Sequence, residues 1–326
     1  MQTNKSIIYF LKIIRKIYSK SEQIFNRNEV SKLAIDCSRQ MASDLIKSKL
    51  NDDRPCMICR LGTSELNATI RHYNMIRKSK FLFEKSINYI LGNVSGFWWD
   101  ESIEMGLGNN AGFFPITNQS LEAFSNRMIK DINNIDILGS WIKEEREIFD
   151  FMKQALIIKL ADLEPYYHSN PWTEALEGKV ILVIHPFEDS IQMQYAKRKL
   201  LFKDPRILPE FELKTLKSIQ SISGNNTVFT TWFDALDWMC EKITDIEFDI
   251  AIIGAGAYGL PLASHIKNLG KKSIHLGGAT QILFGIKGKR WDSHPFIKEL
   301  YNQHWVRPLP SEIPNNYQSV EGGCYW

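Results

Sequence analysis

Short apolar runs alternate with amphipathic stretches along most of this chain, as they do when strands and helices are laid down in turn. The fullest unit is residues 248–291, FDIAIIGAGAYGLPLASHIKNLGKKSIHLGGATQILFGIKGKRW. Its apolar run at 250–253 breaks into Gly254, Gly256 and Gly259. A helical pattern follows over 260–269, Gly270 stops it, and a second run at 273–276 ends in Gly277 and Gly278. Strand, tight turn, helix, strand is the unit of a parallel sheet, and ligands of such sheets sit beyond the carboxyl ends of the strands.

The same alternation runs upstream. Residues 31–50 predict an amphipathic helix, and the loop NDDRP leads to a first strand over 56–60. That strand enters Arg60-Leu-Gly-Thr-Ser-Glu65, where Gly62 permits a sharp turn and Thr63 or Ser64 caps a helix to Tyr73. A helix N-terminus there is a natural anion site flanked by Arg60 and Glu65, or a plain cap with an arginine partner. Runs at 135–142 and 155–160 predict strands, and 121–128 and 144–153 predict helices. The run VILVI is a buried strand closed by His185 and Pro186, with Asp189 or Ser190 capping a helix over 192–202. Residues 211–222 are ambiguous, but Leu213, Leu216, Ile219 and Ile222 recur at three, which favours helix. Another helix spans 230–243. The expected fold is α/β: a Rossmann-like, mostly parallel sheet flanked by helices over residues 49–326, with residues 1–48 as an N-terminal helical segment.

In that N-terminal segment Ile7, Ile8, Leu11, Ile14 and Tyr18 recur at helical spacing, with Lys5, Lys12, Arg15, Lys16 and Lys20 around them. The run is far short of the ~20 apolar residues that span a bilayer. A basic amphipathic helix over residues 5–20 suits peripheral contact with an anionic membrane, or packing on the main domain or a second subunit. Between residues 81 and 116 the aromatics Trp98, Trp99, Phe113 and Phe114 are candidate walls of a cleft for a ring-shaped ligand, or ordinary core.

Composition narrows this only a little. The 326 residues are 44% hydrophobic and 24% charged, and a net charge of +3 gives no global case for a nucleic-acid partner. Five scattered cysteines do not form a secreted disulfide framework and suit a reducing cytoplasm. Cys56 and Cys59 spell C-x-x-C, but on a strand they point to opposite faces, which argues against a metal or redox pair.

The candidate chemistry gathers at strand ends. His185 is placed for acid–base work or phosphate contact, and Glu188 and Asp189 are the nearest carboxylates, each a base or merely a cap. Gly254-Ala-Gly-Ala-Tyr258-Gly259 matches G-x-G-x-x-G after a strand and before a helix. It comes late in the chain, however, and the acid expected on the next strand is replaced by His275, Gly277 and Gly278, so a backbone nest for a phosphate or nucleotide fits better than NAD. Lys287, Lys289 and Arg290, interleaved with Gly285 and Gly288, are candidate cations for a diphosphate.

Arg60-Leu-Gly-Thr-Ser-Glu65 resembles the R-F-G-D-G-E stretch of GT-D-type bacterial glycosyltransferases. The segments HPFE, FELKT, GAYGLPLA, HLGGATQ with its Gln281, FGIKGKRW and VEGGCYW are similar to a set of proteins from bacterial surface-polysaccharide gene clusters. The resemblance covers about residues 50–326. It implies a cytoplasmic glycosyltransferase taking a nucleotide-diphosphate sugar and a lipid-linked glycan acceptor, and the N-terminal basic helix could bring it to the inner face of the cytoplasmic membrane. Arg60, Gly62, Thr63, the glycine turns and the late cations would hold the donor, and Glu65 would orient ribose, sugar or a divalent cation, Mn or Mg. Thr63 stands where that family has the first acid of an Asp-x-Glu pair, which leaves Glu65 a poor ligand set alone. An NAD(P)-dependent sugar-modifying enzyme, another polysaccharide-modifying transferase and a non-catalytic nucleotide-sugar binder are the alternatives.

Overall fold

A computed structural model describes residues 4–24, 32–76, 82–224 and 227–326. The starts of two expected segments, Ser31 and Phe81, lie outside the described residues. Seven strands form one all-parallel sheet: β1 Cys56–Cys59, β2 Ile137–Ser140, β3 Leu156–Lys159, β4 Val180–His185, β5 Glu212–Lys217, β6 Ile250–Ile253 and β7 Lys272–His275, in the order β3-β2-β1-β7-β6-β4-β5. The α-helices are α1 Lys5–Ile24, α2 Gln40–Asn51, α3 Thr63–Ile76, α4 Leu82–Ile90, α5 Glu101–Glu104, α6 Asn118–Ile132, α7 Glu188–Tyr195, α8 Trp232–Thr244, α9 Gly259–Asn268, α10 Ala279–Leu283 and α11 Pro295–Leu300. This is the Rossmann-like α/β architecture expected from the alternation of runs.

The two faces of the sheet follow from the two-residue period of a strand. Met57 and Cys59, Leu182 and Ile184, and Ala251 and Ile253 point into a core closed by α3, α6, α8 and α9. Cys56 and Ile58, Ile181 and Val183, and Ile250 and Ile252 point into the opposite core, under α2, α7 and α10. Cys56 and Cys59 are therefore back to back across the sheet, and all five cysteines are free thiols. Connections stepping towards β3 (β1 to β2, β6 to β7) cover the first face, and the step from β4 out to β5 covers the second, as single-handed crossovers require. Alanine and isoleucine of α2 (Ala42, Ile46) are wholly buried on the sheet. A boundary at residue 48 would cut that helix, which belongs to the α/β body.

Three expected elements change. Residues 212–217 are an edge strand, not a helix: β5 bonds only to β4, from Val180↔Glu212 to His185↔Lys217. Its half-exposed, lysine-bearing pattern suits an edge, and the spacing of three among its leucines was incidental to pairing. The helix expected over 192–202 starts earlier and ends at Tyr195. Residues 143–151, expected as part of an α-helix, wind as a 3-10 helix. Trp98, Trp99, Phe113 and Phe114 all pack inward. Trp98 joins Leu11, Tyr89 and Phe97 in a small cluster of its own, while Phe113 packs on Phe124 and Trp232.

Candidate functional site

Of the cavities among the described residues, the best formed is a cleft of about 200 Å³ lying over the carboxyl ends of β1, β7, β6 and β4. In the half-sheet β5-β4-β6-β7 the chain steps outward from β4 to β5, then returns to β6 on the other side. Beyond such a reversal the strand ends leave a crevice. The lining comes from Arg60 to Glu65 after β1, His185 to Phe187 after β4, Gly254 to Gly256 with Tyr258 after β6, and His275, Gly277, Gly278 and Gln281 after β7. The two segments that open β1's helix and end β6 thus face one cleft.

Arg60 is the charge that stands out. Its guanidinium lies 4.8 Å from the centre of the Trp141 ring and donates one bond, 3.3 Å, to the Leu61 carbonyl. It makes no ion pair with any described residue. Glu145 and Glu164 lie behind it as buried carboxyls pushed up by burial and only partly drawn down by the Arg60 charge. The first turn of α3 begins three residues later, and Glu65 folds back over that turn against Gly62, where a Cβ would fall 2.2 Å from its Oε2. Burial pushes the Glu65 carboxyl up; its own backbone N–H and Arg60 pull the other way, and Glu321 adds to the rise. In the β6 turn the backbone N–H groups of Ala255 and Gly256 have no acceptor among the described residues.

The glycines divide by task. Gly254 has no room for a side chain: a Cβ would meet His185 Cδ2 at 2.6 Å, the Gly277 carbonyl at 2.7 Å and Thr280 Oγ1 at 2.9 Å. Gly256 (φ 52°) and Gly277 (φ 61°) take left-handed conformations. Gly259, the third glycine of the pattern, makes room for the His275 ring, whose Nε2 would lie 2.2 Å from its Cβ. It serves packing rather than ligand approach.

His185 accepts the Phe187 N–H at Nδ1 (2.9 Å), so its proton resides on Nε2. Burial pushes it down to about 3, and burial together with the Arg60 charge does the same to His275. His185 is therefore a neutral donor with its free lone pair already used, which corrects its reading as a base. Glu188 and Asp189, the other base candidates, sit in the first turn of α7 and do not line the cleft. Lys287 and Lys289 also lie outside it. Lys287 Nζ stands over the Tyr301 ring at 5.2 Å, and Lys289 Nζ bonds the Gly322 carbonyl at 3.0 Å. Gly288 there accommodates Trp291, and Gly285 turns at φ 65°, so these glycines shape the loop and do not admit a ligand. Arg290 alone of the late cations reaches the lining, paired with Glu321 and 4.8 Å from the Tyr325 ring. Tyr258 is 2% exposed and stacks on Trp232.

Other lining groups lie outside the expected site residues: Trp141 at the end of β2, Asn110 and Ala111, the loop 218–222 after β5, and Glu321, Tyr325 and Trp326 of the final segment. Gln281 holds that segment, donating to the Tyr325 carbonyl at 3.1 Å. Three buried polar atoms without a partner cluster here: Ser218 Oγ and His275 Nδ1 on lining residues, and Thr280 Oγ1 behind Gly254. Such orphans are costly unless a ligand or water completes them.

The donor set does not fit a hard divalent cation. Glu65 and Glu321 are the lining carboxylates, Glu321 is taken by Arg290, and no three His, Cys, Asp or Glu side chains come together as ligands among the described residues.

The two histidines set an acid limit on the fold. Unfolded, each titrates near 6.5. Because folding lowers both values, the unfolded chain binds more protons below pH 6.5, and the stability tied to neutral imidazoles is lost as pH falls towards about 3. The buried carboxyls Glu145 and Glu164 act with the opposite sign. Comparing wild type with His275→Gln isolates the imidazole share: urea unfolding at pH 7, 6 and 5 should show a slope shallower in the variant by about 1 kcal/mol per pH unit on average, approaching about 1.4 at the acid end. Identical slopes would mean that His275 titrates in the fold as it does in the unfolded chain. Comparison of the chain with protein-family models, with curated proteins and with solved structures finds no match, so the meaning of this cleft rests on its own geometry.

Proposed function

We propose that this chain is a glycosyltransferase that moves a sugar from a nucleotide-diphosphate sugar to a glycan acceptor of a bacterial surface polysaccharide. The observation that carries the reading is Arg60: a half-buried cation with no ion-pair partner among the described residues, beside the N-terminus of α3 and across the cleft from the N–H groups of Ala255 and Gly256, which find no acceptor among those residues. A diphosphate satisfies all three, since it brings charge for the guanidinium and acceptors for the amides. Trp141, 37% exposed beside Arg60, offers a flat face to the base or sugar.

In the transfer, the acceptor hydroxyl oxygen bonds to the anomeric carbon as the bond from that carbon to the diphosphate oxygen breaks. The diphosphate leaves with its electron pair, and Arg60 and the amides hold the charge it gains. Glu65 takes the hydroxyl proton. A carboxyl raised by burial suits that task better than the neutral His185, whose Nδ1 is occupied. The G-x-G-x-x-G turn favours a second reading, a dinucleotide-binding oxidoreductase. In the half-sheet, however, that turn follows β6, not the first strand β4, and its third glycine is used by His275.

The test is a thermal-shift panel of nucleotides and nucleotide sugars, with Mg²⁺, with Mn²⁺ and with a chelator. A diphosphate donor present at a hundredfold excess over its Kd should stabilise the fold by about 2.7 kcal/mol, and equally in chelator. In Glu65→Gln the shift should persist while transfer falls by about 100-fold or more, with the acid limb of the pH–rate profile removed. Silence towards every nucleotide would sink the reading, and a larger response to NAD than to any diphosphate sugar would favour the oxidoreductase.

A further inference from the structure

Of the apolar positions that mark α1 in the sequence, Leu11 is buried, Ile8, Ile14 and Tyr18 are half-buried, and Ile7 is exposed. Ile8 packs with Leu11 against Tyr89 of α4 and against Val94, Phe97 and Trp98. Arg15 fixes the helix further by donating to the Val94 carbonyl at 2.8 Å, and Lys12 pairs with Asp100 at 3.1 Å. What the sequence did not single out is a second apolar stripe on the outer side. Tyr9 is 69% exposed, Phe10 62%, Ile13 40% and Ile17 64%. At 100° per residue Phe10, Ile13 and Ile17 fall in one line, and Lys5, Lys12, Lys16 and Lys20 form the neighbouring row with Tyr9 among them. No acidic residue precedes Glu22. Lys5, Lys16 and Lys20 make no ion pair among the described residues.

We propose that this outer side of α1 is a docking surface for an anionic lipid bilayer. The helix would lie in the interface, with Phe10, Ile13 and Ile17 below the headgroups and Lys5, Lys16 and Lys20 on their phosphates. An apolar stripe bordered by a basic row is what such a surface selects. Helix α1 is not long and apolar enough to cross a membrane, so it lies on the surface. Charge favours a bilayer over an antiparallel second copy of the chain, because the lysine row meets lipid phosphates on one but its own twin in the other. Helix α4, which packs on α1, exposes Phe83 and Ile87 as further apolar surface. This inference stands on α1 and does not depend on what the cleft binds.

The experiment is co-sedimentation of the full chain with phosphatidylcholine vesicles, with and without phosphatidylglycerol. Binding is expected only to the anionic vesicles and should weaken as salt rises. Lys16→Gln with Lys20→Gln should lower vesicle affinity about 30-fold, from about 1 kcal/mol per basic residue near such a surface. Phe10→Ser with Ile17→Ser should abolish sedimentation with an unchanged melting temperature, since both side chains stand in solvent. Failure to sediment with anionic vesicles overturns the proposal, as does full binding by the serine variant. A dimer in analytical ultracentrifugation that the serine variant dissolves, without vesicle binding, would assign the stripe to a second copy instead.

Discussion

Arg60→Ala should lower transfer about 100-fold and abolish stabilisation by a diphosphate, while leaving the fold nearly as stable as before. The expectation of a large functional loss rests on the position of the guanidinium, fixed before any ligand arrives by the Trp141 ring at 4.8 Å and the Leu61 carbonyl at 3.3 Å. A preorganised donor facing a leaving group contributes most where charge develops, and removing one costs about 100-fold or more in rate. The expectation of a small structural loss has the same source. Among the described residues no carboxylate is left unpaired when Arg60 goes, because none forms an ion pair with it; the cost is one stacking contact, about 1 kcal/mol, and the long bond to the Leu61 carbonyl. Lysine at this position keeps the charge but not the planar fork, so an intermediate loss is expected. Single-turnover kinetics and nucleotide thermal shifts on both variants decide the point. Full diphosphate binding by the alanine variant would remove Arg60 from the site.

Gly254→Ala is the substitution with the largest expected cost in stability, about 3 kcal/mol. The added methyl would fall within 2.7 Å of the Gly277 carbonyl and 2.6 Å of the His185 ring. Neither neighbour is free to retreat. The carbonyl accepts the Thr280 N–H at 3.1 Å, and the ring is tied through Nδ1 to the Phe187 N–H. Gly256→Ala provides the control, since its added Cβ meets only the Ala111 carbonyl, at 3.4 Å, and the left-handed φ of 52° costs about 1 to 2 kcal/mol. Urea unfolding of the two variants should therefore rank Gly254→Ala well below Gly256→Ala. The reverse order would mean that the turn after β6 is packed differently.

The readable parts of the site lay in tight local patterns. Gly62 with Arg60 and Glu65, and the turns at Gly254 to Gly256 and His275 to Gly278, are each written in a few consecutive residues, and one cleft receives them all. The loop 218–222 escaped notice because β5 was taken for a helix, which hid the carboxyl end that Ser218 follows. Trp141 was lost because its run was read two residues too long; β2 ends at Ser140. Lys287 and Lys289 were overvalued because a run of cations beside glycines gives no direction. Lys289 bonds the final segment, and only Arg290 reaches the lining.

By itself the sequence determined the parallel α/β class, since strand and helix periods differ and their alternation needs no tertiary information. It also determined which strand ends carry glycines, because left-handed and side-chain-free positions leave a mark at single residues. Which of those ends meet was decided by the order β3-β2-β1-β7-β6-β4-β5 alone, which sets β1 beside β7 although paired positions such as Cys56 and Lys272 are 216 residues apart. The same holds for charge: a lysine or arginine in the sequence is only a cation, and packing decides whether it meets a carboxylate or, as at Arg60, a carbonyl and an aromatic ring with no ion pair among the described residues.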